Sequence, residues 1–216
     1  MTRDKIILEI IETSKELHKK NLLAGTDGNI SSRLDDGKIL ITPSGLPKSK
    51  IRPDQMALIE KDGTVLEGKP SSELSMHLKV YELCPEAKFV IHAHPPTAVA
   101  WSIARPELKE LPADCFSEVI LALGSIPFVP YARPGSNEMG TNLAPYLPNH
   151  RVMVLSRHGG LSWGESLEEA LNGIERLEHS SEMLWKAHTL GGITPLPKEE
   201  ITFLKNKRKE IGPKTL

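Results

Sequence analysis

The sequence predicts an α/β fold: one domain with a mixed, mostly antiparallel central sheet flanked by helices. Three observations carry this reading. Short apolar runs of strand length are interleaved with segments of helical periodicity. Turn signatures of the Asp-Gly type join neighbouring strand-like runs as hairpins. No repeat, low-complexity tract or linker divides the 216 residues, a length suited to a single core, so the domain is taken as 1–216.

Along the chain, Ile6, Ile7, Ile10, Ile11 and Leu17 recur among charged residues at helical spacing, and Gly25 stops the pattern. Ile30 to Leu34 and Lys38 to Ile41 read as strands joined by Asp35-Asp36-Gly37. Met56 to Ile59 and Val65-Leu66 form a second pair around Asp62-Gly63, and Thr42-Pro43-Ser44-Gly45 is a turn between the hairpins. A helix can begin at Ser71 or Ser72 with a hydroxyl cap, carry Leu74, Leu78 and Tyr81 on one face, and end near Cys84-Pro85. Phe89 to Ala93 is an apolar strand, and Pro95-Pro96 opens a short helix to Ala104. Val119 to Leu123, Ile126 to Val129 and Val152 to Leu155 are further strand candidates. Ser166-Leu167-Glu168-Glu169 is a capping box for a long helix that runs to Gly191-Gly192, and Glu199 to Ile211 reads as a charged terminal helix.

Composition narrows the function classes. A net charge of -1 gives no electrostatic case for nucleic acid or a membrane surface as partner. Arg3, Asp4, Lys5, Glu9 and Glu12 break up the segment from Met1 to Asn21, so it lacks the apolar core of a signal peptide, and no run reaches membrane-spanning length. Cys84 and Cys115 then read as reduced thiols, and the expected location is cytoplasmic.

Phe89-Val90-Ile91-His92-Ala93-His94 concentrates the chemistry. Alternate residues of a strand share a face, so His92 and His94 present two imidazoles together at the strand's end. A metal half-site of this kind needs a third ligand and a counter-charge. His158, ahead of Gly159-Gly160, and Glu73, after Ser71-Ser72, supply candidates. Three histidines leave a divalent ion an open position, the mark of a catalytic rather than a structural site. At a helix start Ser71 and Ser72 favour an anion such as phosphate, and Asn29, Ser44 and Gly45 add neutral donors from loops. Each piece alone has a plain structural reading as a cap, a turn or a solvated carboxylate; their joint occurrence points to a small phosphorylated ligand beside a metal.

Gly25-Thr26-Asp27-Gly28-Asn29, Thr42-Pro43-Ser44-Gly45, Ser71-Ser72-Glu73, His92-Ala93-His94 and His158-Gly159 occur in the order found in the class II aldolase and adducin family, which this chain resembles over nearly its whole length. The likeness is nearest to that family's fuculose-phosphate-cleaving aldolases. It implies that His92, His94 and His158, with Glu73, hold Zn2+ or another divalent ion such as Mn2+ or Co2+. Asn29, Ser44, Gly45, Ser71 and Ser72 would hold the phosphate of a small sugar substrate, and Glu73 would be the acid/base group. The implied reaction is retro-aldol cleavage of a ketose 1-phosphate to dihydroxyacetone phosphate and a short aldehyde, in a homotetramer. The family also contains epimerases, a methylthioribulose-1-phosphate dehydratase and non-catalytic adducin-like interaction modules. Glu rather than Asp at position 73 favours cleavage over epimerisation, while a dehydratase on the same scaffold is the alternative enzyme.

One position departs from the family pattern. Where the resemblance implies a tyrosine entering from a neighbouring subunit, this chain has Phe116, whose ring cannot exchange a proton. That role then falls to Tyr131, Glu118, a water or nothing. A more apolar pocket would suit a 5-deoxy or 5-methylthio ribulose 1-phosphate. Cys115 reads as a pocket or core residue, Trp101, Trp163 and Trp185 as packing, and Lys205, Lys207, Arg208 and Lys209 as a solvated helix face. His18, His77, His150, His179 and His188 have no partner motif and read as ordinary surface or helix residues.

Overall fold

The computed structural model describes residues 2–215; Met1 and Leu216, the ends of the expected domain, lie outside them. Thr2 accepts the Lys5 amide and so caps α1 (Arg3–Lys19), whose Ile6, Ile7, Ile10, Ile11 and Leu17 are buried. The two expected hairpins form as β1 (Asn29–Arg33) with β2 (Ile39–Ile41), and β3 (Ala57–Ile59) with β4 (Val65–Glu67). Next come α2 (Leu74–Leu83), β5 (Phe89–Ala93), α3 (Pro96–Ala104), α4 (Ser117–Ala122) and β6 (Phe128–Val129). The chain continues through α5 (Glu138–Leu143), β7 (Val152–Leu155), β8 (Gly159–Gly164), α6 (Leu167–Thr189) and α7 (Lys198–Ile211). The Ser166 hydroxyl accepts the Glu169 amide at the start of α6, as its capping box requires.

All eight strands join one sheet in the order β4-β3-β2-β1-β5-β8-β7-β6, antiparallel throughout except for β6 with β7. This is the mixed, mostly antiparallel sheet flanked by helices that the sequence predicts. Alternation along β5 sorts its side chains to two faces. Ile91 and Ala93 pack with Ile30 against α1 and α6, whereas Val90 packs with Leu161 and Trp163 beneath α2 and α5. A third apolar cluster joins α3 and α4 to β7 through Ala98, Val119, Val152, Val154 and Leu177. Each fully buried leucine or isoleucine here contributes about 1.5–3 kcal/mol.

Three expectations need correction. Val119 to Leu123 is not a strand but lies on α4, ended by Gly124 at φ 79°. Burial of Val119 and Ala122 in the third cluster, with Ile120 also buried, overrides the strand preference of the β-branched pair. The helix expected from Ser71 or Ser72 begins at Leu74; Ser71 instead accepts the Glu73 amide through its hydroxyl at 3.3 Å, making a local turn. Arg208 is not part of a solvated face: it is half-buried and donates to the carbonyls of Leu121, Ala122 and Lys214, while Lys205, Lys207 and Lys209 are exposed. Cys84 and Cys115 are free thiols, and among the described residues no helix is long and apolar enough to cross a membrane.

A buried ion pair ties the last helices to the sheet. Arg151 stacks over Trp163 with 4.5 Å to the ring centroid and donates to Glu169 at 2.7 Å; Glu169 also accepts the Glu165 and Thr215 amides at 2.9 Å each. Replacing one partner strands the other charge in the interior. Glu169→Ala is expected to lower unfolding free energy by about 3–5 kcal/mol in urea titrations, and adding Arg151→Met should recover part of that loss. A loss below about 1 kcal/mol would contradict this account.

Candidate metal centre and phosphate site

His92 sits on β5 directly opposite Asn29 of β1, so sheet register alone brings these two side chains to one face. His94 lies just past the end of β5, held by its amide on the Leu22 carbonyl at 2.8 Å. His158 ends the turn between β7 and β8, after Arg157 at φ 59°, a left-handed conformation uncommon for a residue with a side chain. Gly159 makes the approach possible, because a Cβ there would stand 2.6 Å from His92 Cε1 and 3.0 Å from His94 Cδ2. Gly28 plays the same part on the other side: at φ 70°, its Cβ would meet the His92 carbonyl at 2.7 Å.

Those constraints gather three imidazoles. Ring centroids are 4.8–5.1 Å apart, and one nitrogen from each ring lies within 4.8 Å of the others. His92 Nδ1 lies 2.9 Å from the Gly160 carbonyl, which only accepts, so that nitrogen carries the proton and Nε2 is bare. His94 turns Nδ1 to Asp27 at 3.5 Å and Nε2 to His92 Nε2 at 3.1 Å. With His92 Nε2 bare, His94 Nε2 meets it as a hydrogen-bond donor, or, once its proton turns to Nδ1 beside Asp27, as a second ligand to a shared cation. The carbonyl and carboxylate behind the rings are the outer partners that orient histidine ligands. The donor set therefore fits a divalent ion.

Glu73 closes the trio. Its Oε1 lies 3.1 Å from His158 Nε2 and its Oε2 3.3 Å from His92 Nε2, while Asn29 Nδ2 donates to Oε2 at 2.7 Å. Burial would raise the Glu73 pKa; the contacts with His158 and His92 and the Asn29 hydrogen bond outweigh it and hold the carboxyl well below its usual range. Burial pushes His92 down to about 3 and also lowers His94, so both rings are neutral ligands near neutral pH.

The expected phosphate residues lie on neighbouring segments. Ser44 N donates to the Lys69 carbonyl and Ser71 N to the Thr42 carbonyl, stitching the two loops together. Ser71 is buried, Ser44 half-buried, and Ser72 and Gly45 are exposed. Asn29 joins them through Glu73, leaving its second Nδ2 hydrogen uncommitted to that carboxylate. Lys48, which sequence reasoning passed over, is only 3% exposed and donates to the Thr26 and Leu46 carbonyls at 2.8 and 2.9 Å, joining the 25–29 and 44–46 loops. Burial lowers its pKa, opposed by the charges of Asp27 and Glu73.

His77 corrects another expectation: it is neither a surface residue nor without partners. It is wholly buried, with Nδ1 on Ser31 Oγ at 2.7 Å and Nε2 on Asn29 Oδ1. The spacing of Glu73, His77 and Tyr81 at every fourth residue, opposite Asn29 and Ser31 at every second, is the sequence signal that could have found it.

Phe116 packs with the third apolar cluster of its own chain. Tyr131 is exposed beside Pro130 and Ala132, which share a small recess with His158. A cavity of about 840 Å³ lies between the end of α3, the 105–115 loop and α7, and none of the nine expected site residues lines it.

Two outcomes test this geometry. Gly159→Ala should weaken Zn2+ binding by about 10–100-fold in chelator competition while the far-ultraviolet spectrum is kept; unchanged affinity would refute the close-approach argument. His77 is held down at about 4 and His92 at about 3, against 6.5 when unfolded, so the unfolded chain binds more protons between these values. Stability of the chelator-treated protein is fully present above pH 6.5 and lost as pH falls toward 4, with a slope of about 1.4 kcal/mol per pH unit for each group. Urea midpoints that stay flat over that range would contradict the burial.

Comparison with known proteins agrees with these features. The family described as Class II Aldolase and Adducin N-terminal domain matches residues 8–185. An L-fuculose phosphate aldolase of Escherichia coli strain K12 is 35% identical over 98% of each chain. A 3-oxo-tetronate 4-phosphate decarboxylase of the same strain is 32% identical over 82% of this chain and 84% of its own. A solved L-fuculose 1-phosphate aldolase superposes with a TM-score of 0.86 at 30% identity, covering 97% of this chain and 98% of the other. The sheet, the three histidines and these matches together place the chain in the class II aldolase and adducin family.

Proposed function

We propose that this protein is a divalent-metal-dependent aldehyde-lyase that cleaves a ketose 1-phosphate to dihydroxyacetone phosphate and a short aldehyde. The observation that carries the reading is the Glu73 carboxylate seated between His92 and His158, beside the donors of the phosphate loops. The reading includes Zn2+ or a similar ion, a homotetramer and a cytoplasmic location.

When bound, the ion supplies Lewis-acid stabilisation of charge on the ketone oxygen, worth several kcal/mol. Asn29, Ser44, Gly45, Ser71 and Ser72 bind the phosphate and so fix the substrate's position. During cleavage the C4 hydroxyl gives its proton to a water, its oxygen forms the aldehyde carbonyl, and the C3–C4 electron pair passes toward the C2 ketone. Glu73 then returns a proton to C3, which completes dihydroxyacetone phosphate. Its low pKa makes it a proton acceptor at rest, so the proton it delivers to C3 is one it first takes up from that water.

Phe116 supports a second reading. Loss of carbon dioxide from a 3-oxo acid 4-phosphate needs no group to take a hydroxyl proton, and a phenyl ring offers none. Removing CO2 from a 3-oxo-tetronate 4-phosphate also leaves dihydroxyacetone phosphate, so the two reactions share their proton-returning step and differ in the fragment lost.

The test is a panel of fuculose 1-phosphate, 5-deoxyribulose 1-phosphate, 5-methylthioribulose 1-phosphate and 3-oxo-tetronate 4-phosphate. Triose phosphate release is measured with and without chelator, and the co-product is identified. Aldehyde with chelator-sensitive triose phosphate is the expected result; carbon dioxide would select the second reading, and water loss without triose phosphate would mark a dehydratase. Glu73→Gln should lower kcat by about 100-fold or more.

A further inference from the structure

Behind Glu73 runs a file of buried polar side chains that the proposed chemistry does not use. Helix α2 follows Glu73 and offers His77 and Tyr81 on the same face; β1 offers Asn29 and Ser31 on the opposing one. The two sets interleave. Tyr81 OH meets Ser31 Oγ at 2.7 Å, Ser31 Oγ meets His77 Nδ1 at 2.7 Å, His77 Nε2 meets Asn29 Oδ1, and Asn29 Nδ2 meets Glu73 Oε2 at 2.7 Å. Ser31 and His77 are fully buried, Asn29 is 2% exposed and Tyr81 7% exposed.

The end groups decide which way the hydrogens point. A carboxylate only accepts, so Asn29 must turn its NH2 to Glu73 and its carbonyl to His77. That carbonyl needs a donor, which places the His77 proton on Nε2 and leaves Nδ1 to accept from Ser31. Ser31 in turn accepts from Tyr81. Every member then donates toward Glu73, and a reversal at any link would set the Asn29 oxygen against the carboxylate.

We propose that His77 is a positioning residue: through Asn29 it aims the Glu73 carboxylate at the histidine trio, with Ser31 and Tyr81 holding its tautomer. This assignment rests on the proposed role of Glu73 as the group that moves a proton. A purely packing role would be met more cheaply by apolar residues between a strand and a helix, since each buried polar group must be satisfied.

The test combines kinetics with a measurement that needs no substrate. Nitrogen-15 NMR of histidine-labelled protein near pH 7.5, assigned with the His77→Gln variant, should give a neutral His77 ring protonated on Nε2. Kinetics use turnover of the accepted substrate and solvent deuterium exchange at C3 of dihydroxyacetone phosphate. His77→Leu should lower kcat and exchange about 10–100-fold with KM within about twofold, whereas His77→Gln, which keeps an N–H toward Asn29, should restore most of the rate. Tyr81→Phe keeps the ring and should cost about twofold to fivefold in both rates. An Nδ1-protonated ring, a leucine variant at full rate, or equal losses in the Leu and Gln variants would overturn the proposal. If the leucine variant does not fold, an unaltered rate in Tyr81→Phe does so. If the wild-type protein neither turns over nor exchanges, the proposed function fails on its own, and the NMR tautomer still decides the hydrogen-bond order.

Discussion

Everything at the site depends on crowding three imidazoles around one point. His92 Nε2 and His94 Nε2 face each other at 3.1 Å, and the Gly160 carbonyl and Asp27 carboxylate behind the rings draw their protons to the far sides. Such an arrangement is frustrated without a positive charge between the nitrogens. Two glycines make it sterically possible, and the central position of β5 makes it rigid. The surrounding structure can be read as the means of holding that frustration in place. β1 and β8 clamp the strand on both sides, apolar residues fill both faces, and Arg157 accepts a left-handed backbone to deliver the third ring.

The carboxylate partner follows from the same logic. Glu73 stands at the start of a helix, where an anion is favoured, and its two oxygens divide between two rings and an amide. It remains charged despite burial because every neighbour favours the charged form.

Much of this was legible from residues alone, for reasons that differ by element. His92 and His94 were readable because strand alternation is a strict local rule, and α6 because its cap and period agree. The α4 segment was misread because six residues with a Val-Ile pair satisfy strand and helix patterns alike, and only the third apolar cluster decides between them. Strand β8 begins and ends in glycine, so no propensity announces it; its pairing with β5 and β7 creates it. His77 reads as an ordinary residue and Lys48 goes unremarked because the deciding partners lie far off in sequence, Ser31 and Asn29 on β1 and Thr26 in the loop before it.

Asn29 deserves a last look in light of its flat geometry. One planar amide is fastened on its oxygen side to the interior and on its nitrogen side to Glu73, with its second N–H not engaged by that carboxylate. Were an anionic tail to grip that remaining hydrogen, the far end of a bound molecule and the proton-handling end would be wired through the same six atoms. Recognition and reactivity could not then drift apart under mutation, because no exchange at this position would alter one and spare the other.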